Sequence, residues 1–276
     1  MEKQPKTPKA RTMAFQKQIW AFYRGSGRHN LPWRKTKNPY KIMVSEIMLQ
    51  QTQVVRVLGK YPEFLRAFPT IEVLAEASLI DVLRVWQGMG YNRRARYLRD
   101  AAQKIVSEYN GRIPKTEKEL RALPGIGHYT ANAILTFAHN EPHVFIETNI
   151  RRVFINHFLK NKRGVGDKEI LPLVEQTLDQ ANPRAWYYAL MDHGAYLPKT
   201  ARANANIRSK HYVKQSIFRG SLRELRGKII RVLDEGPKTL VSIRRTCDND
   251  PRTKEALAAL IKDKLIKHEK TKYKLA

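Results

Sequence analysis

Apolar side chains recur every three or four residues through most of the chain, which is the period of an α-helix with one buried face. The pattern is plain at Ile80–Trp86 and again at Leu171–Leu178. Helix starts are marked by Asn38-Pro39 before Ile47 and by Pro114-Lys-Thr-Glu before Leu120. No alternating run of convincing length, as a strand would show, interrupts residues 14–197. The sequence therefore predicts an α-helical domain over these residues.

After Leu222 the pattern changes to three short helices and two short strands. The helices are predicted at 225–233, 239–245 and 251–265, and the closing IKHEKTKYKL supplies a β-hairpin that turns at Glu269-Lys270-Thr271. This order resembles a winged-helix domain. Its third helix carries Arg252, Lys254, Lys262 and Lys264 and is the candidate to enter a DNA major groove, with Arg252 and Lys254 as the expected contacts. Docking of a partner protein is the alternative role of such a domain.

The net charge of the chain indicates which class of partner it binds. The 276 residues include 52 Lys and Arg against 25 Asp and Glu, a formal net charge of +27, so the first expected partner is nucleic acid. The single cysteine, Cys247, excludes a disulfide framework, a four-cysteine iron–sulfur cluster and a Cys-rich zinc site within this chain. No apolar stretch approaches the roughly 18 residues that span a bilayer, so we expect a soluble intracellular protein.

The segment LPGIG, residues 123–127, predicts a tight turn between two helices. Gly125 and Gly127 allow the turn, and the next helix then begins at His128 and Thr130 with N–H groups that point outward. Such a helix start binds an anion. In a chain of this charge a DNA phosphate is favoured over the alternative, a plain turn between helices.

Two carboxylates are candidates for catalysis. Glu46 shares a helix face with Ile42, Leu49 and Gln53, and burial in that stripe would raise its pKa and keep a proton available for general-acid work. Glu147 interrupts the apolar stretch HVFIETNIRRVF and would supply the second carboxylate that glycosidic chemistry needs. Each has a structural alternative, as a carboxylate paired with an arginine or backbone N–H, or as an ordinary first-turn residue of a helix.

Six blocks together resemble the helix-hairpin-helix DNA glycosylases, and most of all the MutY type, the A/G-specific adenine DNA glycosylases. The blocks, in order and at family spacing, are NLPWR (30–34), NPYKIMVSEIMLQQTQV (38–54), WQGMGYNRRARYL (86–98), LPGIGHYTANAI (123–134), ETNIRRV (147–153) and MDHGA (191–195). The likeness covers roughly residues 14–197. It implies the all-α, two-lobed fold of that family, here followed by the winged-helix-like (α+β) domain.

The expected domain organisation follows from this resemblance. Within the glycosylase domain, a six-helix module covers about 38–140 and the second lobe combines 14–37 with 141–197. The whole chain then reads as a flexible basic arm (1–13), the glycosylase domain (14–197), a basic linker in place of the family's cluster loop (198–221) and the winged-helix-like domain (222–276).

The resemblance also assigns catalytic roles. Glu46 matches the acid that protonates the adenine leaving group, and Asn149 matches the asparagine that helps to hold the catalytic carboxylate. Tyr129 stands where lyase-competent relatives carry a lysine, which implies a monofunctional enzyme that leaves the strand intact. Glu147 replaces the family's catalytic aspartate. Its side chain is one methylene longer, and a misplacement of about 1 Å costs on the order of 10²-fold in rate.

Positions that contact DNA are implied as well. Gln51 lies in the block that wedges into the duplex around the orphaned base, together with Leu49, Gln50 and Thr52. Arg34 and Tyr91 match DNA- and lesion-contacting positions. By themselves, the polar side chains of this block are equally typical of a solvated helix face.

Two further departures from the family concern metal and specificity. The cluster-binding cysteines that commonly follow MDxGA are absent, and PKTARANANIRSKHY occupies their place. The domain with which typical relatives read 8-oxoguanine is not recognisable, and the winged-helix-like domain stands instead. We therefore expect no metal and no organic cofactor.

The sequence thus predicts a monofunctional DNA glycosylase of base excision repair that removes adenine mispaired with 8-oxoguanine or guanine. A glycosylase for thymine or uracil opposite guanine, and a non-catalytic lesion-binding protein, are the alternatives. We expect a monomer that binds double-stranded DNA containing a mispair or oxidised base, with no membrane contact and with a protein as the other candidate partner of the winged-helix-like domain. If the source is prokaryotic, the expected location is the cytoplasm, at the nucleoid.

Overall fold

The computed structural model describes residues 8–200, 204–214 and 217–276. The described residues are mostly α-helical, with strands only near the C-terminus, which confirms the predicted fold class. The chain divides into two compact units. One combines the residues up to Ile42 with Gly127–Lys214, and the other combines Met43–Ile126 with Gln215–Ala276. No helix in the described ranges has both the length and the apolar character needed to cross a membrane.

In chain order the α-helices are α1 (Pro8–Ser26), α2 (Pro39–Leu49), α3 (Val54–Ala67), α4 (Ile71–Glu76), α5 (Leu79–Trp86), α6 (Arg93–Tyr109), α7 (Glu117–Arg121), α8 (His128–His139), α9 (Thr148–Phe158), α10 (Asp167–Thr177), α11 (Pro183–Thr200), α12 (Leu222–Asp234), α13 (Leu240–Thr246) and α14 (Thr253–Lys262). Short 3-10 helices lie at Pro32–Arg34 and Ala205–Arg208, and the strands are β1 (Lys238–Thr239), β2 (Ile266–Glu269) and β3 (Lys272–Leu275).

The first unit packs α1 and α8–α11 around an aromatic core. Phe15 of α1 contacts Phe154 and Phe158 of α9, with ring centroids 5.5 and 4.9 Å away, and Trp186 of α11 at 6.0 Å. Phe15, Phe154 and Trp186 are buried. Edge-to-face and tilted contacts of this kind stabilise more than their buried area alone. The aromatic core thus fixes α9, the helix that carries the second candidate carboxylate.

The second unit contains α3–α7 and the C-terminal domain. Trp86 of α5 is completely buried and meets Phe64 of α3 at a centroid distance of 5.9 Å. Hydroxyl side chains cap the short helices, since Ser78 accepts from the Asp81 N–H and Thr116 accepts from the Glu119 N–H. The predicted start of a helix after Pro114-Lys-Thr is therefore confirmed at α7.

The C-terminal domain consists of α12, α13 and α14 with a three-stranded antiparallel sheet of order β1-β3-β2. The predicted three helices and hairpin are confirmed, and the hairpin pairs Glu269 with Lys272. Lys270 takes a positive φ of 52° in the turn between them. Strand β1 is only two residues long, which is too short for any alternation to predict.

Three expectations are corrected by the helix bounds. Helix α1 already begins at Pro8, so residues 8–13 of the predicted arm are helical, and residues 1–7 lie outside the described residues. Helix α11 continues to Thr200, so the predicted linker starts as helix, and its residues 201–203 and 215–216 lie outside the described residues. Helix α2 ends at Leu49, so Gln53 does not share a helix with Glu46.

Candidate active site

Glu147 is the N-cap residue of α9. Its Oε1 accepts hydrogen bonds from the N–H groups of Asn149 (2.7 Å) and Ile150 (2.8 Å), and its Oε2 accepts one from Asn149 Nδ2 (3.1 Å). Burial raises the pKa of this carboxyl above its ordinary value, while the two N–H groups and the charges of Arg152 and Arg151 favour the ionised form. The longer side chain thus folds back onto the start of α9 and is held in one orientation.

Arg152 connects Asn149, the partner of Glu147, to α11 and to the segment after it. Its Nη1 donates to Asn149 Oδ1 (2.9 Å) and to the Gly194 carbonyl (2.6 Å), and its Nε donates to Asn204 Oδ1 (3.2 Å). Burial lowers the pKa of Arg152, and the charge of Glu147 opposes that shift. Because Asn149 accepts through Oδ1 and donates through Nδ2, its amide has one orientation, as the predicted holding role of Asn149 requires.

Residues 204–210, within the predicted basic linker, are held by hydrogen bonds. Asn206 is buried, and its Nδ2 donates to the Thr148 carbonyl at 3.0 Å. Val165 donates to the Arg208 carbonyl and accepts from the Lys210 N–H, both at 2.9 Å. Hydrogen bonds of side-chain amides therefore attach this loop to α9, and one short β-bridge attaches it to Val165, just before α10.

Gly194, in the MDHGA block on α11, lies directly against Asn149. A Cβ atom at position 194 would be 2.3 Å from the Asn149 carbonyl oxygen and 2.7 Å from its carbonyl carbon. Real side chains essentially never approach backbone this closely, so only glycine fits here without a backbone shift. The packing of α11 on α9 thus determines where Asn149 lies.

Tyr129 and His128 lie in the first turn of α8. The Tyr129 ring is half-buried and meets Phe145 edge-on at a centroid distance of 5.6 Å. His128 is exposed, and its carbonyl accepts from Asn132 Nδ2 at 3.0 Å. Gly127, the N-cap residue, has no side chain to compete for the N–H groups of this first turn, which also includes the buried Thr130. The predicted anion contact fits this helix start.

Gly125 has the backbone conformation that the turn before α8 requires. Its φ is +77°, and a Cβ atom there would lie 2.8 Å from Tyr97 Cβ. Both the positive φ and the close approach of Tyr97 exclude a side chain. The need for glycine inferred from LPGIG is therefore confirmed at this position.

Glu46 lies in the middle of α2 and belongs to the second unit, whereas Tyr129, Glu147 and Asn149 belong to the first. Its side chain is in the protein interior, since the residue is only 5% exposed, and its helix neighbours Met43 and Ile47 are buried. The prediction of a carboxylate in an apolar stripe is therefore confirmed, although its role in proton transfer stays a prediction.

The turn Gln50–Gln53, between α2 and α3, is organised by Arg94 of α6. Arg94 Nη1 donates to the carbonyls of Ile47 (2.8 Å), Met48 (2.9 Å) and Gln50 (2.6 Å), and Nη2 donates to Thr52 Oγ1 (2.9 Å). Gln51 is exposed at the tip with a positive φ of 53°. Half-buried Leu49 is the last residue of α2. The block predicted to wedge into the duplex around Gln51 is therefore a strained turn, and the buried Arg94 holds it.

Tyr91, just before α6, also has a positive φ, of 48°. Its hydroxyl oxygen accepts a 2.7 Å hydrogen bond from Arg223 Nη1 of α12, and the Arg223 and Arg94 guanidinium carbons each lie 5.4 Å from its ring centroid. Tyr91 is thus fixed on both its ring and its hydroxyl. The contact to Arg223 links the C-terminal domain to this part of the second unit.

Arg34 is bound inside the first unit. Its Nη1 and Nη2 donate to Asp192 Oδ2 (2.7 Å) and Oδ1 (2.8 Å), and its guanidinium carbon lies 4.4 Å from the Tyr188 ring centroid. Only 5% of the side chain is exposed. This geometry favours a structural role, joining the 3-10 helix to α11, over the predicted contact with DNA.

Arg252 and Lys254 lie at the start of α14. Arg252 Nη2 and Nε donate to Asp250 Oδ2 (2.6 Å) and Oδ1 (3.0 Å), and its Nη1 donates to the Gly220 carbonyl (2.9 Å). These bonds close the turn before the helix. Lys254 is exposed. Their predicted contact with a major groove stays a prediction, and Lys254 is the more accessible of the two.

Sequence reasoning missed two arginines, Arg94, which organises the turn Gln50–Gln53, and Arg152, which holds Asn149 beside Glu147. Each is the second member of an Arg-Arg pair inside a motif block, at 93–94 and at 151–152. The sequence contains both pairs, but their spacing does not indicate which arginine of each pair lies in the protein interior. In the described ranges no three His, Cys, Asp or Glu side chains come together as a metal site would require.

One protein family and several known proteins match parts of this chain. Residues 44–177 match a family described as "HhH-GPD superfamily base excision DNA repair protein". Two relatives carry the name adenine DNA glycosylase. The Buchnera aphidicola protein is 35% identical over 228 residues, 79% of this chain and 64% of that protein. The Mycobacterium tuberculosis protein is 44% identical over 136 residues, 49% of this chain and 44% of that protein.

The chain therefore spans about two fifths to two thirds of the length of these curated relatives. Among solved structures, a thermostable thymine-DNA glycosylase superposes with a TM-score of 0.61 at 25% identity, covering 70% of this chain and 90% of that one.

Proposed function

Because residues 44–177 match the family described as "HhH-GPD superfamily base excision DNA repair protein", we propose that the chain is a DNA N-glycosylase that removes adenine mispaired with 8-oxoguanine or guanine. The observation that carries this proposal is the orientation of Glu147. Its two oxygens accept three hydrogen bonds at the start of α9, and this is how a carboxylate is kept ready to stabilise a positive charge. Similarity to relatives named adenine DNA glycosylase supports adenine as the substrate base.

The proposed reaction is hydrolysis of the bond between adenine N9 and C1′ of deoxyribose. Glu46 donates a proton to the adenine ring, so that the base leaves with the bonding electron pair as a neutral molecule. The Glu147 carboxylate stabilises the positive charge that develops on the sugar. Water then adds to C1′ and loses a proton. The target nucleotide must first leave the helix, which costs a few kcal/mol and is least costly at a mispair.

We propose that cleavage stops at the abasic site. A lyase step needs an amine that attacks C1′ to form a Schiff base, and the position assigned to that amine holds Tyr129, packed against Phe145. The protein's partner in this scheme is double-stranded DNA, and its net charge of +27 supports strong phosphate contact.

A single-turnover excision assay tests the proposal. The duplexes carry A opposite 8-oxoguanine, A opposite G, and T or U opposite G, and each reaction is analysed with and without alkali. We expect cleavage at A that appears only after alkali and that disappears in Glu46→Gln. Strand breaks without alkali would contradict the monofunctional assignment. Tight binding without excision of any base would contradict the enzyme and favour a lesion-binding protein.

Thymine opposite guanine is the second candidate substrate. The observation that favours it is the superposition on a thymine-DNA glycosylase over 90% of that chain. In the same assay, excision of T or U with no excision of A would move the protein to this branch. The carboxylate chemistry at Glu147 would then be unchanged, and only the leaving base would differ.

A further inference from the structure

A cavity of about 370 Å³ opens within the second unit, between the turn after α2, the start of α6 and the C-terminal domain. We name it the α6–α12 cavity. Gln50, Gln51 and Tyr91 lie on one side, and Arg223, Arg226 and Lys262 lie on the other. Its volume admits a phosphodiester group with its flanking sugars. None of the family-derived roles given above includes the side contributed by the C-terminal domain.

The charge of the α6–α12 cavity is strongly positive. Five basic side chains line it, Arg93, Arg94, Arg223, Arg226 and Lys262, against the single acidic side chain of Asp263. Asp263 accepts from Arg226 and, at 3.5 Å, from Arg93, so one carboxylate serves two of the five cations. A cleft lined by charge of one sign attracts a ligand of the opposite sign.

The two sides of the cavity are joined by polar contacts. Arg223 Nη1 donates to the Tyr91 hydroxyl, and near the other end of α12 Asp234 accepts from Arg84 Nε at 2.6 Å and from Gln87 Nε2 at 3.3 Å. The C-terminal domain is thus placed beside Gln51, the exposed tip of the turn after α2. Only the C-terminal end of α14, at Ala259 and Lys262, faces the cavity.

We propose that the α6–α12 cavity binds a phosphodiester segment of DNA next to Gln51, and that α12 and the C-terminal end of α14 supply half of this site. DNA fits better than an acidic peptide because the cavity joins guanidinium groups, which pair with phosphate, to two glutamine amides and a tyrosine that suit nucleotides. The C-terminal domain then contacts DNA through α12 and the C-terminal end of α14, rather than through the start of α14, where the sequence predicts contact with a major groove. This inference rests on the proposed function, since it takes DNA to be the substrate.

Equilibrium binding of the full chain to a duplex with one A·8-oxoguanine pair tests the site. Lys262→Gln and Arg223→Gln are measured from about 50 to 200 mM salt, with Tm as the check on folding. Each loses affinity roughly three- to tenfold at about 0.1 M salt, and the slope of log K against log salt becomes less negative by about 0.9 per lost contact. Unchanged affinity and slope in both variants would overturn the proposal.

Lys254→Gln is the matched comparison, because it removes the same charge from the other end of α14. We expect it to lose less affinity than Lys262→Gln. An equal or larger loss in Lys254→Gln would overturn the site, since α14 would then meet DNA through its N-terminal end or through net charge alone. Excision by the wild-type chain is scored separately. Binding without excision refutes the proposed enzyme and leaves this site intact. Excision by the wild type, together with unchanged DNA binding by the Lys262 and Arg223 variants, refutes this site and leaves the proposed enzyme intact.

Discussion

Glu147 and the turn Gln50–Gln53 each depend on one arginine, but the two arginines act in different ways. Arg152 donates to two side-chain amide oxygens and one carbonyl, and it lies beside a carboxylate whose charge it stabilises. Arg94 donates to backbone carbonyls at the end of α2 and to Thr52, with no carboxylate among those partners. Arg152 therefore influences chemistry and Arg94 influences shape.

The burial of the two arginines also differs, and the difference agrees with this division of roles. Arg94 is 8% exposed, and burial lowers its pKa to about 10, so it still carries its charge at neutral pH. That charge lies against the carbonyls of Ile47 and Met48, at the negative end of the α2 dipole. Arg152 is half-buried and shares its donors with a loop. A change at Arg94 should therefore appear first in stability, and a change at Arg152 first in rate.

The largest effect is expected from Glu147→Gln. The amide keeps one oxygen to accept from the start of α9 but has no charge to stabilise the sugar, so the single-turnover excision rate should fall about 10²- to 10³-fold. Affinity for the mispaired duplex should change little. Glu175→Gln, which removes an exposed carboxylate from α10, is the control and should excise normally. An excision rate of Glu147→Gln within threefold of the wild-type rate would contradict a catalytic role for Glu147.

The second largest effect is expected from Arg94→Met, which should lower the stability of the fold. It leaves at least three carbonyls of the turn without their donor, which costs about 2–3 kcal/mol in the free energy of unfolding. Denaturant unfolding measures this cost. Arg93→Met is the matched control, because Arg93 is more than half exposed and its ion pair with Asp263 is 3.5 Å long. Equal stability of the two variants would contradict the division of roles.

Glu147→Asp tests whether the site is built around the longer side chain. Aspartate is a good N-cap and should retain the N–H contacts, but its carboxylate recedes from the position that Asn149 and Arg152 have fixed. We expect the rate to fall about tenfold, since small misplacements cost heavily. A marked rise in rate would instead identify the glutamate as a handicap of this chain.

The smallest effect, a shift of the pH profile, is expected from Arg152→Met. Catalysis needs the ionised form of Glu147, whose pKa is raised by burial, so activity should be lost as pH falls through a value above that of an ordinary glutamate. Removing the Arg152 charge raises that pKa further, and the acid limb of the rate profile should move to higher pH. Arg151→Met is the control, and it should move the limb less because Arg151 is bound to Asp167. An unmoved limb in Arg152→Met would show that Arg152 is only structural.

Periodicity predicted the elements well because helix faces are repeated many times along the chain. It placed α2, α7 and the C-terminal hairpin, and it located Glu46 in an apolar stripe. It failed at Gln53, because the carbonyls at the end of α2 turn toward an arginine some 40 residues away in sequence, and no local spacing records that. The DNA contact of Arg34 was implied by the resemblance and not by periodicity, and the sequence does not reveal that Arg34 is bound to Asp192.

The close contact between Gly194 and Asn149 also bears on how easily such an activity is lost over generations. One added methyl group on α11 would displace Asn149, which holds the carboxylate proposed for catalysis, without replacing any charged or aromatic residue of the site. A descendant with alanine there would keep its net charge and therefore its attraction to duplexes. Under the proposed function, it would bind mispairs that it no longer repairs and would shield them from other enzymes.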